Sequence, residues 1–371
     1  MQNLTEKTLG LLFTRSMSLK KWDTLGMLNR EIAVYQALAK DVRSLYLFTY
    51  GTKNDLQYGT LFPENVYIIP RPWYIPGALY SLVLPFVHRS TVQQLSFIKT
   101  NQMDGAWTAV IAKKLYGTTL VVRCGYEWLQ FIQTAHRGFI KKRFAQCVER
   151  WVYASADAII ITSQGAKQFI VEHFPVDPER IVVIPNYVNI DFFSPKASER
   201  ERGRIVFVGR LEEQKNISSL IEALKGLPAH LVCIGEGALR GQLEQLAEDA
   251  GVRVSFLGAL PQKEIIEEMN RSEIFALPSL YEGHPKTLLE AMSCGLPCIG
   301  SNVPGINDTI TDGYDGIICE SGVKSLHDSL LLLLTDEALR GRIGLNARKT
   351  AVETYSLAVV LEKERAIYTS L

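Results

Sequence analysis

The 371-residue sequence lacks the features that mark several large classes of protein. No apolar run reaches the ~18–20 residues needed to span a bilayer, and residues 1–7 show no basic segment leading into an apolar one, as a secretory signal would. Lys plus Arg number 40 against 39 Asp plus Glu, so the chain has no large positive net charge that would attract nucleic acid. We therefore expect a cytoplasmic globular protein with no nucleic-acid partner, long enough for two domains.

Metal and phosphate motifs are also scarce. The six cysteines form no Cys-x-x-Cys pair and have no histidines at ligand spacing, so Cys294 and Cys298 are predicted to be small buried residues. No Asp-x-Asp occurs, so a divalent cation held that way on a sugar diphosphate is not indicated. The P-loop spacing is absent too. We predict no metal and no cofactor.

Short apolar runs alternate with helical patterns throughout the chain. Runs typical of buried strands occupy residues 9–13, 45–50, 66–69, 95–98, 120–123 and 158–161 in the first half, and 205–208, 231–234, 253–257 and 274–277 in the second. Helical patterns between them include residues 25–39, 106–115, 217–224, 239–250 and 263–269. This alternation predicts an α/β protein with two doubly wound, Rossmann-like parallel-sheet domains.

Two segments of the first half allow more than one interpretation. Residues 70–87 are rich in proline and aromatics, which argues against one long helix and fits a mobile flap, a membrane-contact surface, an acceptor site or a packed connection. Residues 137–154 form a basic amphipathic helix. Its predicted apolar face consists of Ile140, Phe144, Cys147, Val148 and Trp151. It suits either an anionic membrane surface or a core-packed helix with a solvated outer face.

The stretch from Glu282 to Met292 is the main candidate site. It follows the apolar run 274–278 and predicts a strand, a Gly-containing turn and a short helix beginning near Pro285. Glu282 lies in the turn, and Glu290 lies opposite the apolar stripe of the helix. Two carboxylates thus border the carboxyl end of a strand, where open α/β sheets bind ligands. The alternative is a solvated surface pair.

Glycines and cations follow other strands of the second half. Gly209 and Arg210, with Lys215, stand just before a helix, where cations and free N–H groups suit a diphosphate. Gly235-Glu236-Gly237 approaches the dinucleotide fingerprint but has one residue too many before its last glycine, so it supports an NAD site only weakly. Taken alone, Arg210 and Lys215 are also typical surface residues.

In this order, the motifs of the second half resemble those of the retaining glycosyltransferases of family 4, which have the two-domain GT-B fold. The matching segments are 208–211 with Lys215-Asn216, 234–237, 256–258, 278–285 with 289–292, and 295–297 with Pro304-Gly305. Residues 156–158 with Ser163, and 184–188, resemble the end of the family's first domain. Asn189 and Asp308 stand where Asp and Glu are usual, and we assign Asn189 no role. The resemblance implies two domains facing each other across a cleft.

The resemblance implies roles for the matching positions. Arg210 and Lys215 would hold the donor diphosphate, Glu282 would contact the donor sugar, and Glu290 would bind the ribose hydroxyls. Further donor contacts would come from backbone and side chains around the same strand ends: Gly209, Gly235, Gly237, Gly258, Gly283, His284, Pro285 and Lys286. On the acceptor side we single out Gly26, Arg123 and Glu127, with a buried structural ion pair as the alternative for the latter two. His136, like His284, is a further candidate for sugar contact.

The resulting expectation is a metal-independent, hexosyl-type glycosyltransferase that uses a UDP- or GDP-sugar. Its acceptor would be a glycan or lipid-linked sugar in surface polysaccharide or glycolipid synthesis, with peripheral contact to the inner membrane face left open. We predict an N-terminal acceptor-side domain over 1–186, a linker over 187–204, a nucleotide-sugar domain over 205–354, and a helix over 355–371 that returns towards the first domain. A nucleotide-sugar epimerase and a catalytically silent partner subunit are the alternatives.

Overall fold

The computed structural model describes residues 4–125, 129, 139–196 and 200–371. The chain divides into two compact units. The first comprises the residues up to Ile184 together with Leu361–Leu371, and the second comprises Pro185–Val360. Each unit is built on one sheet, of seven and six strands respectively, and every described strand pair is parallel. The predicted pair of Rossmann-like parallel-sheet domains is confirmed.

The first unit has the strand order β3-β2-β1-β4-β5-β6-β7. Its strands are β1 (Thr8–Leu12), β2 (Ser44–Thr49), β3 (Val66–Pro70), β4 (Phe97–Thr100), β5 (Thr119–Cys124), β6 (Ala158–Ile161) and β7 (Ile181–Val183). The described helices between them are α1 (Leu19–Thr24), α2 (Leu28–Leu38), α3 (Gly77–Val87), α4 (Arg89–Val92), α5 (Trp107–Tyr116), α6 (Phe139–Ser155) and α7 (Gln164–His173). The six strands predicted for this half are confirmed to within two residues, and β4 shows the largest shift from its predicted range of 95–98. Strand β7 was not predicted.

The second unit has the strand order β10-β9-β8-β11-β12-β13. Its strands are β8 (Arg204–Val208), β9 (His230–Ile234), β10 (Val254–Gly258), β11 (Ile274–Leu277), β12 (Cys298–Ser301) and β13 (Ile317–Cys319). Its helices are α8 (Ile217–Ala223), α9 (Arg240–Ala250), α10 (Gln262–Arg271), α11 (Lys286–Ser293), α12 (Val323–Thr335) and α13 (Glu337–Tyr355). A last helix, α14 (Leu357–Ser370), starts in this unit, and its residues from Leu361 group with the first.

The segment predicted as a linker over 187–204 contributes to the core of the second unit. Val188 and Phe193 are buried there, and the Val188 N–H donates to the carbonyl of Tyr355 at 2.8 Å. The charges from Lys196 to Arg204 suggested a free connection, but the apolar residues just before them supply enough burial to hold the chain in place. Those residues therefore belong to the second unit.

Helix α3 forms within the proline-rich segment 70–87 and contains Pro85. Proline removes the N–H that would bond to the carbonyl four residues earlier, here that of Ser81. The Thr108 hydroxyl of α5 donates to that carbonyl instead. The helix is thus possible because a neighbouring helix satisfies the acceptor that proline leaves open. The segment is therefore not one long helix, as predicted: α3 covers its last eleven residues.

Helix α6 is the predicted basic helix, but the prediction that Phe144, Cys147 and Trp151 belong to a buried apolar face is wrong. Phe144 is 56% exposed and Trp151 is 36% exposed, and Cys147 is exposed as well. The buried residues of α6 are Ala145, Glu149, Val152 and Tyr153. The helix contacts the neighbouring α5, while Phe144 and Trp151 stay at the surface.

Candidate active site

The strand order of the second sheet reverses between β8 and β11. From β8 the chain proceeds through β9 to β10 at one edge, and from β11 through β12 to β13 at the other. Open α/β sheets bind ligands at the carboxyl ends of the strands beside such a reversal. Gly209 follows β8 and the segment Pro278–Glu282 follows β11. The topology therefore brings together two predicted motifs that are about seventy residues apart in the chain.

Lys215 and Glu282 form the polar centre of this junction. The Lys215 ammonium makes an ion pair with Glu282 Oε1, and the Ser279 hydroxyl donates to the same oxygen at 2.7 Å. Only 13% of the Lys215 side chain and 8% of the Glu282 side chain are exposed. Partial burial strengthens both contacts, because water screens them less than it would at the surface.

Hydrogen bonds between the loops that follow β8 and β11 fix this geometry. The Gln214 side-chain amide donates to the Tyr281 carbonyl at 2.9 Å, and the Leu280 N–H donates to the Gln214 carbonyl at 2.8 Å. Asn216, in the left-handed conformation with φ of 52°, donates to the Pro278 carbonyl at 3.2 Å. Sequence reasoning assigned no role to Gln214, Asn216 or Ser279. The signal in the sequence that could have identified them is that they are polar and stand close to Lys215 or Glu282.

Arg210 lies apart from the Lys215–Glu282 pair. Its guanidinium pairs with Glu212 at 2.9 Å, and 63% of its side chain is exposed. An exposed pair of this kind stabilises the fold by ~0–1 kcal/mol at most, so little free energy opposes a change of partner. Its predicted cooperation with Lys215 on a diphosphate stays a prediction.

The predicted donor-lining glycines bring neighbouring turns into backbone contact. Gly235 has φ of 135°, and a Cβ there would lie 2.0 Å from the Gly209 carbonyl oxygen. A Cβ on Gly237 would lie 2.2 Å from the Leu211 carbonyl oxygen. The Gly235 N–H donates to the Gly258 carbonyl at 2.7 Å, and Gly258 itself has φ of 73°. These glycines let the turns after β8, β9 and β10 approach more closely than any side chain would allow.

Helix α11 begins at Lys286, directly after Pro285, as predicted. Glu290 is only 3% exposed, and Leu288 to Ser293 are all buried. The alternative of two solvated surface carboxylates is therefore wrong for Glu290. Burial, together with the nearby charge of Glu290, raises the pKa of the Cys294 thiol to about 12. A buried carboxylate in a short helix beside the reversal is a stronger ligand candidate than an exposed one.

The turn from Gly283 to Pro285 is held from two sides. The Asn186 side-chain amide donates to the His284 carbonyl at 2.7 Å, and the buried His284 ring makes an edge contact with Tyr355 at 5.5 Å. In the loop after β12, Gly305 approaches so closely that a Cβ there would lie 2.0 Å from the Gly283 carbonyl oxygen. The motif backbone is thus immobilised, whereas a sugar contact by His284 stays a prediction.

Two of the predicted acceptor-side residues, Gly26 and Arg123, lie in the described part of the first unit. Gly26 is exposed in the turn between α1 and α2, with φ of 66° and open space where a Cβ would be. Arg123 lies in β5, where its backbone N–H donates to the Thr100 hydroxyl at 3.0 Å. Burial lowers the pKa of Lys99, and the charge of Arg123 lowers it further. Glu127 and His136 lie outside the described residues.

The described part of the chain has neither a metal-binding cluster nor a membrane-spanning helix. There, no three His, Cys, Asp or Glu side chains are placed to share a metal ion, and no helix has the length and apolarity to cross a bilayer. Cys294 and Cys298 are buried, as predicted, and neither forms a disulfide.

Two family models match adjoining parts of the chain. The model described as Glycosyltransferase Family 4 matches residues 32–192, and the model described as Glycosyl transferases group 1 matches residues 189–350. A curated relative in Escherichia coli, UDP-Gal:alpha-D-GlcNAc-diphosphoundecaprenol alpha-1,3-galactosyltransferase, is 26% identical over 328 residues, which are 81% of this chain and 84% of that protein.

Solved structures of similar fold cover almost the whole chain. Sucrose-phosphate synthase from Thermosynechococcus elongatus matches with a TM-score of 0.82 at 20% identity, covering 98% of this chain and 99% of that one. Anabaena HepE in complex with UDP and glucose matches with a TM-score of 0.78 at 18% identity, covering 98% and 100%. These likenesses establish the fold. With the two family models and the order of the strand-end motifs, they show that the chain belongs to the glycosyltransferases of family 4, which have the GT-B fold.

Proposed function

We propose that this nucleotide-sugar-dependent glycosyltransferase transfers its sugar with retention of the anomeric configuration and without a metal ion. The observation that carries the proposal is the partly buried Lys215–Glu282 pair at the reversal of the second sheet. It puts a cation and a carboxylate, the groups that a diphosphate and a sugar hydroxyl need, side by side.

In the proposed reaction, charge develops on the leaving group. The acceptor hydroxyl oxygen bonds to the anomeric carbon as the bond from that carbon to the diphosphate oxygen breaks. The electron pair stays on the nucleoside diphosphate, and a donor phosphate oxygen takes the hydroxyl proton. Lys215, joined by Arg210, stabilises the negative charge that builds up, which lowers the barrier because the interaction is stronger in the transition state than in the ground state. These cations take the place that a divalent ion occupies in other transferases.

The remaining donor contacts follow from the same edge of the sheet. Glu282 accepts hydrogen bonds from the sugar hydroxyls, and the buried Glu290 accepts them from the ribose. The N–H groups of residues 283–286, at the start of α11, face the donor, since a helix start favours negative charge. Gly209, Gly235, Gly237 and Gly258 line the nucleotide, where their lack of side chains allows close approach.

The names of the relatives support particular classes of donor and acceptor for this chain. The E. coli relative is named for a UDP-galactose donor and a diphosphoundecaprenol-linked acceptor, and the HepE structure contains UDP and glucose. We therefore propose a UDP-hexose as donor, with GDP-sugars second, and a glycan or lipid-linked sugar of a surface polysaccharide or glycolipid as acceptor. Gly26, Arg123 and Glu127 are the proposed acceptor-side residues.

The test combines a donor panel with three variants. Wild-type protein in EDTA should release nucleoside diphosphate from one UDP- or GDP-sugar. Lys215→Ala and Glu282→Gln should each lower kcat by ~10²–10³-fold, the usual effect of removing one group that stabilises transition-state charge. Lys263→Ala, at an exposed lysine of the same unit, is the matched control and should keep wild-type kcat.

Several outcomes would contradict the proposal. Unchanged transfer by Lys215→Ala and Glu282→Gln would place the site elsewhere, and loss of transfer in EDTA that Mg²⁺ restores would refute metal independence. Inversion at the anomeric carbon of the isolated product would refute retention. Conversion of the donor to its epimer without acceptor would favour the epimerase alternative, and absence of any nucleotide-induced rise in Tm would favour a silent partner subunit.

A further inference from the structure

Helix α3 exposes a stripe of large apolar side chains on the first unit. Leu79, Leu82 and Phe86 are between 49% and 57% exposed. Their spacing of three and then four residues puts them on one side of the helix. Trp73, which precedes α3, is 76% exposed. A set of large exposed residues on one side of a helix is unusual for a surface that contacts only water.

The exposure of this stripe follows from how α3 is anchored. On its inner side, the Trp107 indole N–H donates to the Ser81 hydroxyl at 3.2 Å. At its end, the Tyr116 hydroxyl donates to the Pro85 carbonyl at 2.9 Å. Both donors belong to α5, so the rotation of α3 about its axis is fixed by buried polar contacts. The apolar stripe cannot turn inward without breaking them.

Helices α3, α5 and α6 cover the same face of the first sheet. They connect β3 to β4, β4 to β5 and β5 to β6. All three connections run in the same direction across the sheet, from the β3 edge towards the β7 edge. Right-handed crossovers in one direction put their helices on one side. The outer sides of α3 and α6 therefore point the same way. We name the side chains that these two helices expose, Leu79, Leu82, Phe86, Phe144 and Trp151, the outer apolar surface.

Positive charge surrounds the outer apolar surface. The sequences of α3, α4 and α5 contain Arg89, Lys113 and Lys114 and no acidic residue, although Lys113 pairs with Asp157, just after α6, at 2.6 Å. Helix α6 contains four cations, Lys141, Lys142, Arg143 and Arg150, and a single carboxylate, Glu149, which is fully buried and accepts the Leu129 N–H at 3.0 Å. Lys114 lies over the Trp151 ring, 5.4 Å from its centroid. The exposed charge on these helices therefore has one sign.

We propose that the outer apolar surface docks the first unit onto a bilayer that contains anionic lipids. Apolar and aromatic side chains enter the boundary between headgroups and acyl chains, while flanking lysines and arginines bind the anionic headgroups. A second copy of this chain fits less well, because a two-fold interface would put these cations against their own copies. The proposal does not depend on the donor or on the reaction.

Vesicle flotation tests the apolar part of the surface. Wild-type protein should float with vesicles of phosphatidylcholine containing about a third phosphatidylglycerol. Leu82→Glu with Phe86→Glu should weaken that binding by at least ~10-fold, since each change removes apolar contact and adds like charge. Both side chains are exposed, so Tm should stay within a few degrees. The matched control is Leu331→Glu with Leu345→Glu, at exposed leucines of the second unit, and it should bind as wild type does.

A second variant tests the contribution of positive charge to vesicle binding. Lys141→Gln with Arg143→Gln should weaken binding to the anionic vesicles by ~30-fold, at roughly 1 kcal/mol for each basic residue near the surface. Wild-type binding should also weaken when the vesicles are pure phosphatidylcholine, and when 0.5 M NaCl is added to the anionic vesicles. Lys263→Gln with Arg342→Gln removes two exposed cations from the second unit and should have no effect.

Three results would overturn the proposal. Wild-type protein that does not float with anionic vesicles excludes it. Equal flotation of the Leu82/Phe86 and Leu331/Leu345 variants excludes this surface as the contact. A dimer seen by light scattering that Leu82→Glu with Phe86→Glu converts to monomer, without vesicle binding by either, would assign the surface to a second copy instead.

Discussion

Gly235 shows how a single residue determines the distance between two loops of the site. Its φ of 135° is unfavourable for any residue with a side chain, and its Cβ position is filled by the Gly209 carbonyl. We predict that Gly235→Ala lowers the free energy of unfolding by on the order of 3 kcal/mol, because strain and backbone overlap add. Urea denaturation followed by circular dichroism measures the change.

The matched control for that substitution is Gly241→Ala in α9. A Cβ at Gly241 meets no atom within 4 Å, and alanine in a helix interior raises stability by up to ~1 kcal/mol relative to glycine. If both substitutions shift the urea midpoint by the same amount, close contact between the turns is not what requires Gly235.

Residue types at the site were predictable, but their partners were not. Lys215 and Glu282 stand out in the sequence as a cation before a helix and a carboxylate after a strand. Nothing local indicates that they pair, because they are 67 residues apart and meet only through the order of β8 and β11 in the sheet.

At the level of secondary structure, α14 is bound to β4 by a buried ion pair. Lys99 and Glu364 pair with side-chain exposures of 2% and 4%, and the Tyr368 hydroxyl donates to the same Glu364 oxygen at 2.9 Å. We predict that Lys99→Met lowers the free energy of unfolding by ~3–5 kcal/mol, since it leaves a buried carboxylate without its cation. Thermal and urea denaturation of the variant measure the loss.

Two further variants separate charge burial from loss of contact in α14. Lys99→Met with Glu364→Leu should recover most of the stability, because the unpaired charge is gone. Arg365→Met breaks the more exposed pair of the same helix with Asp41, at 2.7 and 3.0 Å, and should cost at most ~1 kcal/mol. Equal losses for Lys99→Met and Arg365→Met would show that burial does not govern the contribution of these pairs.

For the whole molecule, the division into two units makes a prediction about the end of the chain. Residues 361–371 group with the first unit, although they follow the second in sequence. Deleting them should destabilise the first unit, because Ile367 and Tyr368 leave its buried core along with Glu364. Hydrogen exchange measured by mass spectrometry should show faster exchange in β1, β4 and α2, with little change in β9 and β10.

The second unit provides the internal control for the deletion. Its core is built from residues 188–355, so the shortened protein should still bind a nucleoside diphosphate with near wild-type Kd. Faster exchange throughout both units would mean that the chain unfolds as one cooperative body and that the division does not describe its stability.

The sequence by itself determined the strands, the α/β class and the family. Continuous apolar runs can be buried on both faces only in a covered parallel sheet, and strand-end motifs keep their order whatever the surroundings. The tertiary structure alone decided which side of α6 is buried and that Glu290 is buried. It also decided that Thr108 donates to the Ser81 carbonyl, which Pro85 leaves without a helical partner. Helical periodicity identifies a stripe but not the neighbour that covers it, because that neighbour comes from a distant part of the chain. Burial and ion pairing at the site are therefore properties of the assembled sheet.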